Sequence, residues 1–388
     1  MIKSVVFIAC IALANISSIL ASNQKYRGVN LGGWLVLENW ITPDSPVYKD
    51  GGLPSNMHES GEYQIMQKLG HERGDALMQG HWSKFITEDD FIQIKQKGID
   101  MVRIPIGYWI MDDDNSFRST NCNNSNVMAP GSLEYLDKAF RWARRSQLKV
   151  LVGIHAAMGS QNGDQHSAPP VSGKIQWFDK QEYVDNTLDV VEFIVRRYQN
   201  HPAFLGIGLL NEPQHSNDAT KFATLKKYYE DAHKLIRQNL HSDCIITFSN
   251  AYNEKTEYQQ VWQSFLKNDP NVWAEVHKYY IWGFEGQTFD QIKQYVQGHE
   301  AQWIKSWPGA ELYVGEWSLA NHEATFNLTD SQKQEYADIM TTVFQPTHWS
   351  YWTWKFWTSN IATYASWNLQ NIFERQIMND TMISKLNN

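Results

Sequence analysis

Short runs of consecutive apolar residues alternate along this chain with longer stretches in which apolar positions recur every three or four residues. Continuous apolar runs suit strands covered on both faces, and the longer stretches suit amphipathic helices. Eight runs predict strands: Arg27–Leu31, Met101–Ile106, Val150–His155, Phe204–Asn211, Ile245–Ser249, Val272–Tyr279, Leu312–Trp317 and Trp349–Trp354. Between them, Thr87-Glu-Asp-Asp90 reads as a capping-box start with Asp at its third helical position, and Gly98 as the stop. Ser132 opens a second helix through Leu133, Leu136, Phe140 and Ala143, and Val184, Leu188, Val191, Ile194 and Tyr198 mark a third. Such stripes are packing faces, not sites.

Eight strands separated by helices predict an α/β fold, a single (β/α)8 TIM barrel. A doubly wound open sheet is the alternative that the same alternation allows. With insertions, one barrel can hold a chain of 388 residues. The first 21 residues stand apart: Lys3 is a short positive start, Val5 to Leu13 an apolar run, and Ser17, Ser18, Ala21 and Ser22 small residues suited to cleavage. This pattern predicts a signal peptide over 1–21 and a catalytic domain over 22–388. It implies secretion to the extracellular side and no stable membrane insertion after cleavage.

Composition sharpens the picture in two respects. The formal net charge of −8 is spread without basic stripes, which argues against a nucleic-acid partner. The chain holds 17 Trp, 18 Tyr and 17 Phe; a large core accounts for more than half of such rings, and a ring-lined cleft, on which sugars stack, is the sharper reading of the rest. Once Cys10 has left with the leader, Cys122 and Cys244 could form one disulfide, and Asn123, Asn327 and Asn379 open glycosylation sequons.

Active sites of these barrels lie at the C-terminal strand ends. Reading only those ends gives Glu38, Arg103, His155, Asn211, Glu212, His277, Tyr279, Glu316 and Trp352. Breaking a glycosidic bond needs one acid to protonate the leaving oxygen and one carboxylate to attack the anomeric carbon. Glu212, amid rings, suits the protonated partner; Arg103 and Tyr279 can hold Glu316 ionised. Asn211 could donate to the sugar 2-hydroxyl. Other motifs fail: His71-Glu72 lacks the second His of a zinc-protease helix, Gly159 to Gly163 has the wrong spacing for a nucleophile elbow, and Gly206-Ile-Gly208 lacks the third glycine of a dinucleotide site. No metal or other cofactor is implied.

The sequence resembles glycoside hydrolase family 5, and within it the fungal-type exo-β-1,3-glucanases. The resemblance rests on Arg27-Gly-Val-Asn-Leu-Gly-Gly-Trp34, Val102-Arg-Ile-Pro-Ile-Gly-Tyr-Trp109, Leu210-Asn-Glu-Pro213, Val276-His277, Val314-Gly-Glu-Trp317 and Tyr351-Trp-Thr-Trp-Lys355, in order. It implies Glu212 as acid/base and Glu316 as nucleophile of a retaining enzyme acting on β-glucan or another β-glucoside. It further implies Arg103, His155, Asn211, His277, Tyr279 and Trp352 as the supporting set, with Glu38 on the terminal glucose. The pattern departs at the cleft entrance, where Asp164 and Trp282 stand for a pair of phenylalanines, and at Ala156-Ala-Met158. An endo-acting β-glucanase, a glucosidase on other glucosides and a sugar-binding barrel without catalysis are the competing readings.

Overall fold

The computed structural model describes residues 25–57, 59–113, 127–250, 256–322, 328–379 and 382–383. The expected leader, Cys122, Asn123 and Asn327 lie outside them, while Asn379 is exposed. Eight parallel strands close on themselves in chain order: β1 Arg27–Asn30, β2 Met101–Gly107, β3 Lys149–Ala156, β4 Phe204–Gly208, β5 Ile245–Ser249, β6 Val272–Lys278, β7 Glu311–Trp317 and β8 His348–Tyr351. Parallel pairing of Val29 with Tyr351 closes the ring between β1 and β8. The (β/α)8 barrel is therefore the fold, and the open sheet is excluded. Among the described residues no helix is long and apolar enough to cross a membrane.

The helices form as the apolar spacing dictates. Helix Glu88–Gln96 starts at Thr87, whose N–H donates to Asp90 Oδ2 at 2.8 Å, and Gly98 follows its end at φ +78°. Helices Ser132–Ser146 and Gln181–Tyr198 bury Leu136, Phe140 and Ala143, and Val191, Ile194 and Tyr198, against the strands. Asp90 also accepts from Trp354 Nε1 at 2.9 Å and pairs with Lys355 at 2.6 Å, so a helix start anchors the segment that leaves β8.

Two strands end earlier than the apolar pattern predicts. β4 stops at Gly208, although Leu209 and Leu210 remain buried, and β8 stops at Tyr351. Irregular bonds carry the backbone onward: Asn211 N–H donates to Ile154 O at 2.8 Å, and Trp352 N–H to Trp317 O at 2.8 Å. Hydrophobic burial thus outlasts the regular ladder by several residues.

A register slip matters more for the site. Val276 pairs with Val314, but the next residue, His277, pairs with Glu316 and passes over Gly315. Strand side chains alternate, so without this bulge Tyr313 and Glu316 would face opposite sides. The extra residue re-aims Glu316 into the barrel, as bulges beside active sites do. Gly315 is required here, because a Cβ at that position would run into the Glu275 carboxylate.

Candidate active site

Arg103 of β2 lies at the centre of the strand ends and is buried. Its Nη1 donates to Asn30 Oδ1 at 3.0 Å and Glu316 Oε1 at 3.1 Å. Its Nη2 reaches Asn211 Oδ1 at 2.8 Å and Glu275 Oε1 at 2.9 Å. A buried guanidinium is tolerable only when its donors are matched in this way. Burial alone would lower its pKa, but Glu275 and Glu316 more than offset this, so it stays charged throughout.

His277 sits between three acids. Nδ1 is 2.6 Å from Glu212 Oε1 and 3.4 Å from Glu316 Oε2, and Nε2 is 3.1 Å from Glu275 Oε1. Desolvation pulls its pKa down, yet Glu316, Glu212 and Glu275 outweigh it and push the ring up to about 10. Burial pushes Glu275 up as well, but Arg103 and His277, with a Thr247 hydroxyl bond, bring it down to about 2. These two groups therefore form a fixed charged pair at neutral pH.

One polar atom each of Glu212, His277 and Glu316 lies within 4.8 Å of the other two, a spacing that a cation could also use. Burial and the neighbouring Glu212 raise the Glu316 carboxyl above its ordinary value, while His277, Arg103 and the Tyr279 hydroxyl at 2.8 Å act the other way. Glu212 takes φ +47° immediately before Pro213. Such a conformation costs on the order of 1–3 kcal/mol for a residue with a Cβ and is held by its surroundings. Gln161 provides them, donating to His155 O at 2.7 Å and Asn211 O at 2.8 Å.

The walls close around this centre in a cavity of about 810 Å³. His155 stacks on Trp352, with centroids 5.5 Å apart and planes 6° apart, and burial holds its pKa well down, so the ring is neutral. Trp352 in turn covers Gly32, where a Cβ would meet the indole at 2.7 Å. Glu38 is buried and accepts from Gly33 N–H at 3.2 Å and Trp40 Nε1 at 3.0 Å. Desolvation pushes it up to about 7. It is no partner of a surface lysine. Trp282 stands at the mouth, 67% exposed and edge-on to Tyr279.

All ten residues singled out in the sequence therefore meet at one end of the barrel, nine of them at the cavity wall and Arg103 beneath it. Sequence reading missed Glu275, although it precedes His277 by two and so shares its face. It missed Asn30, whose Nδ2 donates to Gly315 O at 2.9 Å. It also missed His166, whose Nε2 lies 3.7 Å from Glu212 and 3.8 Å from Asp164, because a loop residue carries no periodic signal.

A closed parallel barrel with facing acids in an aromatic cleft at its strand ends belongs to the class of glycoside hydrolases. The chain is a member of glycoside hydrolase family 5: the family's cellulase domain matches residues 69–359. A glucan 1,3-beta-glucosidase of Lachancea kluyveri is 33% identical over 327 residues, 80% of this chain and 67% of that protein. A sporulation-specific glucan 1,3-beta-glucosidase of Saccharomyces cerevisiae is 32% identical over 328 residues, 81% of this chain and 67% of that protein. The matches thus span about two thirds of these relatives' length. Among solved structures, a rutinosidase from Aspergillus niger shares the fold at a TM-score of 0.73 and 18% identity, over 92% of this chain and 98% of that one.

Proposed function

We propose that the chain is a secreted, retaining exo-β-1,3-glucanase that releases glucose from non-reducing ends, with Glu212 as acid/base and Glu316 as nucleophile. The observation that carries this reading is that one carboxylate oxygen of Glu212 and one of Glu316 lie within 4.8 Å of each other. Retaining enzymes keep their two acids about 5–5.5 Å apart, and inverting ones roughly 6.5–9.5 Å apart, with space for a water. Donors then divide the roles. Glu316 receives Arg103, a permanent charge, and the Tyr279 hydroxyl, so of two close acids it is the one that keeps the negative charge.

In the first step Glu316 attacks the anomeric carbon while Glu212 gives its proton to the departing glycosidic oxygen. In the second, the Glu212 carboxylate takes a proton from water, whose oxygen attacks the same carbon and frees Glu316. Neither step calls for a cofactor. Asn211 Nδ2 is buried without a hydrogen-bond partner among the described residues and suits the sugar 2-hydroxyl. Glu38, His155 and Trp352 supply the pocket for the terminal glucose, with Trp282 at the leaving-group side.

The relatives' names support β-1,3-glucan as substrate, the leader at 1–21 supports secretion, and 22–388 is the catalytic domain. Incubation with laminarin tests the reading. Free glucose, first seen as the β-anomer by NMR, is expected from the earliest minutes. A ladder of oligosaccharides means endo action, the α-anomer sinks the retaining mechanism, and an unchanged polymer means that the barrel only binds.

A further inference from the structure

The cavity is wider than the barrel mouth. Besides the groups on the barrel axis, its wall includes Lys278, Tyr280, Phe284, Tyr295 and Glu300. On β6 the side chains of Glu275 and His277 face the axis, so that of Lys278 faces the helix layer. This lobe is thus a lateral recess between the end of β6 and the helical segment Phe289–Ser306.

Its construction is unusual for mere filling. Glu300 is 3% exposed and pairs with Lys278 Nζ at 3.0 Å, and Lys278 also lies 4.0 Å over the Trp303 ring. Rings of Tyr280, Phe284 and Tyr295 surround the pair, with Phe284 and Tyr295 edge-on at 5.0 Å. Burying the carboxylate of such a pair, while Lys278 keeps 22% of its side chain exposed, is costly, and hydrophobic replacements of buried pairs are often at least as stable. The helix also departs from α geometry here. Val296–Glu300 is a π-helical turn, with Glu300 as its last residue. Such turns are frequent at functional sites.

We infer that this recess is a subsite for a hexosyl unit of the leaving group, whose hydroxyls bond to the Lys278–Glu300 pair and whose C–H face lies on Tyr295 and Phe284. The inference rests on the exo-glucanase reading. An exo-enzyme holds one sugar on the non-reducing side of the cleaved bond, so any further sugar site must serve the leaving group. A lateral position suits a unit that branches from a linear chain better than one that continues it.

The test compares kcat/KM on a β-1,6-branched β-1,3-gluco-oligosaccharide, on its linear counterpart and on 4-nitrophenyl β-glucoside, whose leaving group carries no sugar. For Glu300→Gln the ratio of branched oligosaccharide to nitrophenyl glucoside should fall about tenfold, the scale of one hydrogen bond to a charged group. The change should come through KM, and the linear substrate should lose less. Phe284→Ala, at a half-buried ring, gives the same readout should Glu300→Gln fail to fold. A ratio unchanged in a folded variant overturns the subsite and leaves the glucanase reading standing. An unaltered protein inert on all three substrates removes both.

Discussion

The two floors of the barrel interior are built by the same strands from opposite kinds of residue. The lower floor is an apolar plug of Met101, Leu151, Leu205, Trp273 and Tyr313. Two residues higher on the same faces stand Arg103, above Met101, and Glu275, above Trp273; His277 follows above Glu275. Both floors are buried, so burial does not separate them. What separates them is how each group is satisfied. The lower floor is held by contact, with Trp273 stacked on His348 at 3.8 Å, and its one hydroxyl, on Tyr313, is met by Ser350 Oγ at 2.7 Å. The upper floor needs its charges matched by named donors and acceptors, and among the described residues Arg103 Nε, Asn211 Nδ2 and His155 Nδ1 still have no hydrogen-bond partner. On the proposed roles, the first floor serves stability and the second chemistry.

The sharpest way to break this division is Glu316→Ala. Turnover should fall by roughly four or more orders of magnitude, the scale of losing a catalytic group, in a variant whose circular dichroism spectrum still matches that of the parent. Comparable turnover in the variant would place the chemistry elsewhere. Trp273→Ala tests the lower floor and should behave oppositely. It should cost about 3–5 kcal/mol of stability, read by denaturant titration, with kcat per folded molecule close to that of the parent.

Glu38→Gln asks whether the upper floor extends to the wall. Loss of a water-excluded, charge-assisted bond of about 1.5–3 kcal/mol should lower kcat/KM on laminarin by about one to two orders of magnitude at an unchanged melting temperature. Activity within twofold would remove Glu38 from the site. The smallest effect concerns Glu62, buried beneath the Glu38 segment, where it accepts from Leu37 N–H at 3.0 Å. Desolvation pushes its pKa up to about 8, well above its ordinary 4.5. Its contribution to stability is therefore full below pH 4.5 and lost as pH rises through about 8. The melting temperature should drop by a few degrees between pH 5 and 8, and Glu62→Gln should flatten that slope.

The lower floor was legible in the sequence because apolar periodicity is a local signal. All eight strands were placed within about three residues, and the early ends of β4 and β8 escaped because Leu209, Leu210 and Trp352 stay buried after the ladder stops. The upper floor was legible only where a polar residue interrupts an apolar run, as at Arg103, His277 and Glu316. Glu275 interrupts β6 equally but looked unremarkable beside the histidine. The bulge at Gly315 could not be read, since a glycine within a strand signals irregularity without saying which way the next side chain turns. His166 reached Glu212 through a loop, where no spacing rule connects the two.

The charged centre has a consequence for how the reaction meets its solvent. On the proposed roles, before a substrate is cut Arg103 and His277 carry positive charge and Glu275 and Glu316 negative, with Glu212 as the protonated acid. On the proposed roles, the covalent intermediate neutralises Glu316 at the moment Glu212 becomes a carboxylate. The sum is zero in both states. The negative charge moves a few ångströms, and no ion need enter or leave to compensate. The chemical step should therefore be nearly indifferent to added salt, which screens long-range fields but finds no changing net charge here to act upon.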